Sequence, residues 1–254
     1  MNDTAFTIGT FEVKWYGILI CAAVILCISL ALHACEKHGI QQDDLLDYIL
    51  FAIPSAIIGA RVYYVLFNLD NYKDDWKSIF DYWEGGLAVY GGVIAALLAA
   101  FFVALYKKQS FIKIAGFAAP YIILGQAIGR WGNFFNSEAF GAPTNLPWKL
   151  YIAPQYRPIP YQDYQYFHPA FLYESILDLA VFAILLVLTK TGRLKKDGNL
   201  TLIYLILYSL VRIFVEMFRL DSVMYILGVP VAIFVSVGII IVSTAVFIYN
   251  VKRG

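Results

Sequence analysis

Long apolar stretches separated by short polar joints set the pattern of this chain. A run of roughly 17–25 mostly apolar residues lets a helix cross a hydrocarbon core of about 30 Å. Such runs fall at Trp15–Ala34, Leu46–Phe67, Leu87–Tyr106, Ile112–Gly129, Pro169–Leu188, Leu200–Met217 and Tyr225–Tyr249. None alternates with period two, and lipid offers the backbone no hydrogen-bond partner, so each is expected to be a helix. The pattern predicts an all-α polytopic membrane protein of about seven transmembrane helices. Two polar intervals, at about 68–86 and 133–167, are long enough to carry structure of their own. The second is rich in proline and aromatic residues, as suits a small cap at the outer membrane interface. No internal repeat or low-complexity tract divides the chain, so 1–254 reads as a single membrane-embedded domain.

Composition agrees: 61% of the residues are hydrophobic and 15% charged, where soluble domains carry about a quarter charged residues. Nineteen basic and eighteen acidic residues leave almost no net charge, hence no field to draw in nucleic acid, which is excluded as a partner. The N-terminus lacks the basic start of a cleavable signal peptide, so the first run is expected to be a retained span and the mature protein to begin near Met1. Orientation follows from the loops. With the N-terminus outside, the inner side holds Lys37, Lys107, Lys108, Lys113, Lys190, Arg193, Lys195, Lys196, Lys252 and Arg253. The longer outer segments hold only Lys14, Lys73, Lys77, Lys149, Arg157 and Arg219. The excess of positive charge on one side predicts N-out and C-in.

Charged groups within spans are costly, on the order of 2.5–3.5 kcal/mol at a helix centre, and therefore mark candidate sites. Here they gather at one depth. Arg61 and Arg130 lie near the outer ends of their helices, as do Tyr16, Tyr90 and His168, while Arg212 and Glu216 occupy the outer half of theirs. Tyr208, Arg212, Glu216 and Arg219 recur at i, i+4, i+8 and i+11 and share a face. Glu174 and Asp178, four apart, share another, about 9 and 15 Å below the outer surface by helix rise. Gln126, Arg130 and Asn133 align on the fourth helix beside a stripe of Gly125, Gly129 and Gly132, which admits a close neighbour. Taken singly, each has an ordinary explanation: an arginine snorkels to the headgroups, or Arg212 and Glu216 form a structural ion pair. The joint occurrence of three outer arginines, several carboxylates and glycine-rich joints points instead to an anionic ligand such as a phospholipid headgroup, whose oxygens match guanidinium forks.

Other chemistries find little support. Cys21, Cys27 and Cys35 cluster near the first run without zinc spacing and read as packing residues. The histidines at 33, 38 and 168 fit no metalloprotease pattern, so no metal is expected. An intramembrane hydrolase would need a serine-histidine, paired-aspartate or zinc arrangement. A transporter would need a polar path continuing inward, and the inner halves of the spans are almost wholly apolar.

The run GRWGNFFNSEAFG, Gly129 to Gly141, resembles the signature G-R-x-G-N-F-x-N-x-E-x-x-G of the prolipoprotein diacylglyceryl transferase family, matching throughout. Further segments agree in order: WYG at 15–17, GARVYYVLFN at 59–68, EGGLAVYGG at 84–92, HPAFLYES at 168–175 and YSLVRIFVEMFR at 208–219. The resemblance covers nearly the whole chain. It implies a seven-helix enzyme of the bacterial cytoplasmic membrane, N-out, with its site open to the outer leaflet. Such enzymes take the diacylglyceryl group of phosphatidylglycerol, transfer it to the lipobox cysteine thiol in a prolipoprotein signal peptide, and release glycerol phosphate, with no metal or soluble cofactor.

By motif position the resemblance assigns Arg130 and Arg212 to the phosphate. Asn133 and Glu138 hold glycerol hydroxyls or fix the arginines, and Gly141 permits a turn over the lipid. Tyr16, Arg61, Asn136, Tyr173, Tyr208 and Glu216 are expected to line the substrate. Glu174 is expected to brace Arg130 or Arg212, and Asp178 to be structural. Where many family members carry histidine between the glycine pairs, this chain has Tyr90, and a phenol, with a pKa of about 10, is a poor acceptor at neutral pH. A thiol of pKa about 8.5 still needs help to ionise. Glu174, His168 and the field of the arginines are all candidates, and Tyr90 is left to hydrogen-bond the headgroup or to sit as an interfacial aromatic.

Overall fold

The computed structural model describes residues 3–73, 75–82, 85–192, 194, 196–220 and 225–253. Seven of its helices are long and apolar enough to cross a membrane: α1 (Trp15–Cys35), α2 (Gln42–Phe67), α3 (Val89–Tyr106), α4 (Phe111–Asn136), α5 (Ala170–Thr191), α6 (Asn199–Glu216) and α7 (Val231–Lys252). The chain is a multi-pass helical membrane protein. Glu84 of the third motif, and Arg193 and Lys195 of the inner basic group, lie outside the described residues.

Helix ends differ from the apolar runs where polar chemistry favours a helix. α2 begins four residues before its run, because Asp43 and Asp44 in its first turn complement the partial positive charge of the helix N-terminus. α4 continues seven residues past Gly129, carrying Arg130, Asn133 and Asn136 on helical backbone. The cap therefore starts after Asn136, not at Asn133. The last run is shortened, since Tyr225–Ile226 and Val229–Pro230 form a hairpin, β5 and β6, before α7. Two further pairs precede helices: β1 (Thr4–Ile8) with β2 (Phe11–Lys14) before α1, and β3 (Leu150–Tyr151) with β4 (Tyr166–Phe167) before α5.

Two compact units form, one from Met1–Ala31 and Ala115–Gly254, the other from Leu32–Ile114. In the first, Ile123 of α4 meets Val181 and Leu185 of α5 and Val211 and Val215 of α6. A second cluster, Phe140, Leu150, Ile152, Phe167 and Phe171, seats the cap on the start of α5. The glycine stripe of α4 faces α1, where a Cβ at Gly132 would lie 2.3 Å from the Tyr16 ring. In the second unit α2 and α3 cross with their backbones nearly touching, since a Cβ on Gly59 would come within 2.7 Å of the Gly91 carbonyl oxygen. The glycines flanking Tyr90 on its C-terminal side thus serve close packing.

Candidate active site

In the first unit α4, α5 and α6 bring four charged side chains together. Arg130 Nη2 lies 2.6 Å from Glu174 Oε1, and Arg212 Nη1 lies 3.7 Å from the same oxygen. Arg212 Nη2 contacts Glu216 Oε2 at 2.6 Å. Glu174 is fully buried, whereas the side chains of Arg130 and Arg212 keep 22% and 19% of their surface. The contacts at Glu174 are charge contacts and not aligned hydrogen bonds, because neither of its oxygens has a hydrogen-bond partner. Buried Arg212 Nη1 has none either. Native buried polar groups are almost always satisfied by protein, water or ligand, so this cluster has the polar capacity to bind something more.

The surroundings are built to hold it. Trp131 donates its indole N–H to Ser175 Oγ (3.2 Å), which donates to the Ala127 carbonyl (2.8 Å), tying α4 to α5 beside the cluster. Tyr208 adjoins Arg130 and stacks on Tyr204, whose hydroxyl donates to Gln126 Oε1 (3.1 Å). Asp178 is fully buried, and neither of its oxygens is hydrogen-bonded.

The signature loop follows directly. Asn133 and Asn136 each donate weakly to Glu138, at 3.4 Å. Ser137 and Ala139 on either side of Glu138 adopt positive φ, 56° and 52°, a costly conformation for residues with a Cβ. Gly141 is required for a reason other than the expected turn. Its φ is not positive, but a Cβ there would strike the Phe218 carbonyl at 2.7 Å and His168 Cβ at 2.9 Å. Its N–H donates to the His168 carbonyl (2.7 Å), and it bridges to Arg219.

His168 Nδ1 lies 3.0 Å from the Tyr173 hydroxyl, which also accepts from Trp148 Nε1 at 2.9 Å. Sequence reasoning passed over Trp148. Its one signal is that it is the single tryptophan in the 133–167 interval.

The remaining predicted residues, Arg61 and Tyr90, belong to the second unit. Tyr90 is 71% exposed at the start of α3. Arg61 is buried, and its donors are engaged by the chain itself: Nε to the Ile79 carbonyl (2.8 Å), Nη2 to Ser78 (2.7 Å), and Nη1 to Gly85 (2.7 Å) and Gly86 (3.2 Å). The rings of Tyr72 and Tyr82 lie 5.6 and 5.8 Å from its guanidinium. Gly86, at φ 73°, leaves the room this wrap needs, since a Cβ would sit 2.5 Å from Arg61 Nη1. The arginine expected to line the substrate thus closes the 68–86 loop.

Three helices that meet at a buried arginine–carboxylate cluster, with a cap fastened to the start of α5, give this multi-pass membrane protein a polar centre inside its first unit. The model of the family described as prolipoprotein diacylglyceryl transferase matches residues 3–249. The chain belongs to that family and is a transferase. It is similar to proteins named phosphatidylglycerol–prolipoprotein diacylglyceryl transferase in several bacteria. A Synechocystis protein is 45% identical over 98% of this chain and 89% of its own. One from Thermotoga petrophila is 48% identical over 86% and 75%, and one from Clostridium botulinum is 44% identical over the whole of both.

Proposed function

We propose that this protein transfers the diacylglyceryl group of phosphatidylglycerol to the thiol of the lipobox cysteine in a prolipoprotein signal peptide. The product is a thioether and the leaving group is glycerol phosphate. The observation that carries the reading is the sharing of one buried carboxylate oxygen, Glu174 Oε1, between Arg130 and Arg212. Two cations held this close over one anion form a seat that a phosphodiester can enter, with guanidinium donors in reach of two of its oxygens.

The substrate sulfur attacks the glycerol carbon that bears the phosphate oxygen, the carbon–oxygen bond breaks, and its electron pair leaves with the phosphate. Negative charge grows on that phosphate, so donors fixed on it stabilise the transition state more than the ground state. Arg130 and Arg212 take this role. Glu174 and Glu216 hold them in place, Tyr208 borders the same seat, and Tyr16 packs against Gly132 on α4. Glu138, oriented by Asn133 and Asn136, binds the headgroup glycerol, while Asp178 is structural. The nucleophile belongs to the substrate, which is why the three cysteines of the chain can all be packing residues. Arg61 acts indirectly by holding its own loop, and Tyr90 stands exposed at the start of α3.

The loop charges support an N-out, C-in topology in the bacterial cytoplasmic membrane, with the site towards the outer leaflet. The test is to incubate purified protein with phosphatidylglycerol and a lipobox peptide and to look for a diacylglyceryl mass gain by mass spectrometry. A peptide left unmodified by folded protein would overturn the reading.

A further inference from the structure

Trp148, in the cap between α4 and α5, donates its indole N–H to the Tyr173 hydroxyl, and that hydroxyl reaches His168 Nδ1. An indole nitrogen can only donate, so it occupies a lone pair of the phenol oxygen. Trp148 and His168 are the hydrogen-bond partners of that hydroxyl among the described residues. The phenol proton is therefore satisfied by pointing at Nδ1. A neutral imidazole that accepts at Nδ1 carries its proton on Nε2. The reverse order, with Nδ1–H donating, would load two donors onto one oxygen and leave the phenol proton without a protein partner.

The ring is fixed as well as polarised. The His168 backbone N–H donates to the Ala142 carbonyl (3.0 Å), its carbonyl accepts from Gly141, and its ring packs at 5.5 Å from that of Phe218.

We infer that Trp148 and Tyr173 are positioning residues that hold His168 as the neutral Nε2–H tautomer, presenting it to the lipid headgroup as a hydrogen-bond donor. This rests on the function proposed above and deepens it. With Nδ1 engaged by Tyr173 and Nε2 protonated, His168 has no free lone pair for the substrate thiol's proton. Of the candidates for ionising the thiol, it leaves Glu174 and the field of the arginines.

The test uses full-length protein with His33→Gln and His38→Gln, labelled with nitrogen-15 histidine, in phosphatidylglycerol nanodiscs. Couplings to the ring carbon-bound protons then report which nitrogen of His168 is protonated. Nε2 is expected in the parent protein, and a mixture of tautomers in Trp148→Phe and in Tyr173→Phe. In the peptide assay Trp148→Phe is expected to lower kcat about five- to tenfold, the scale of one neutral hydrogen bond, with little change in KM. Tyr173→Phe reads the same contact should Trp148→Phe fail to fold. A parent ring protonated on Nδ1, an unchanged tautomer in both variants, or a shifted tautomer with kcat unaltered would each overturn the proposal. A parent protein with the expected tautomer but no transfer activity would instead remove the function on which it rests.

Discussion

Arg61 and the Arg130–Arg212 pair are arginines of the same kind of place, towards the C-terminal ends of apolar helices, yet the structure partners them in opposite ways. Arg61 donates to four backbone carbonyls and touches no carboxylate among the described residues. Carbonyls are neutral and fixed, so an anion could displace them only by unmaking the loop. Arg130 and Arg212 are held by carboxylate side chains instead, and each keeps some exposed surface. Under the proposed function, the partner, more than burial or depth, separates an architectural membrane arginine from one of the site: a carbonyl cage marks the first, and a shared carboxylate the second.

The largest effect that would sharpen this contrast is on Arg130. Arg130→Ala should cut the transfer rate by about 10³-fold or more, the scale of losing a principal transition-state donor, with the protein still inserted. Arg130→Lys keeps the charge but loses the fork, and should recover only a small part. Glu174→Gln comes next: kcat should fall about 10- to 100-fold, because the guanidiniums lose their reference point, while KM for phosphatidylglycerol does not rise. Arg61→Met should act first on stability. It strips the partner from a set of loop carbonyls and should lower unfolding free energy by about 3 kcal/mol, read by thermal or denaturant unfolding in detergent. The contrast breaks if a folded Arg61→Lys protein loses transfer as steeply as Arg130→Lys.

The smallest effect lies at the other end of the second unit. Lys107, just past α3, lies 2.6 Å from Asp44 and also pairs with Asp47, while Gln109 donates to Asp44. Hydrogen bonds that the Lys107 ammonium donates to Asp44 and then Asp47 hold it above its ordinary pKa. A raised lysine pKa contributes stability that is complete below the unfolded value, about 10.4, and is lost only as pH climbs beyond it. Unfolding midpoints of wild type and Lys107→Met should therefore differ by an amount that stays flat from pH 6 to 9.

Much of this was legible in one sequence, for physical reasons. Hydrocarbon thickness fixes helix length, so seven apolar runs announced seven helices, and i, i+4 spacing placed Arg212 over Glu216. Glu174 as a brace could be read from its depth, since a buried carboxylate needs a cation. The i, i+4, i+7 spacing of Gln126, Arg130 and Asn133 already carried the fourth helix past Gly129, and only its last turn to Asn136 was hidden, because asparagine there looks like a loop residue. Arg61's cage and the Trp148–Tyr173–His168 chain were also hidden. Both depend on where a loop folds back, and the contacts of Arg61 and of Trp148, 17 to 25 residues apart, leave no periodic trace. Gly141 was singled out from the sequence for a turn, whereas the structure shows close approach at that position.

The claim that phosphate sits between Arg130 and Arg212 is tested most directly by native mass spectrometry of the purified protein titrated with phosphatidylglycerol and, separately, with uncharged diacylglycerol. Wild type and Arg61→Lys should retain phosphatidylglycerol over diacylglycerol, and Arg130→Ala should lose that preference. Equal preference in Arg130→Ala and wild type would contradict the account.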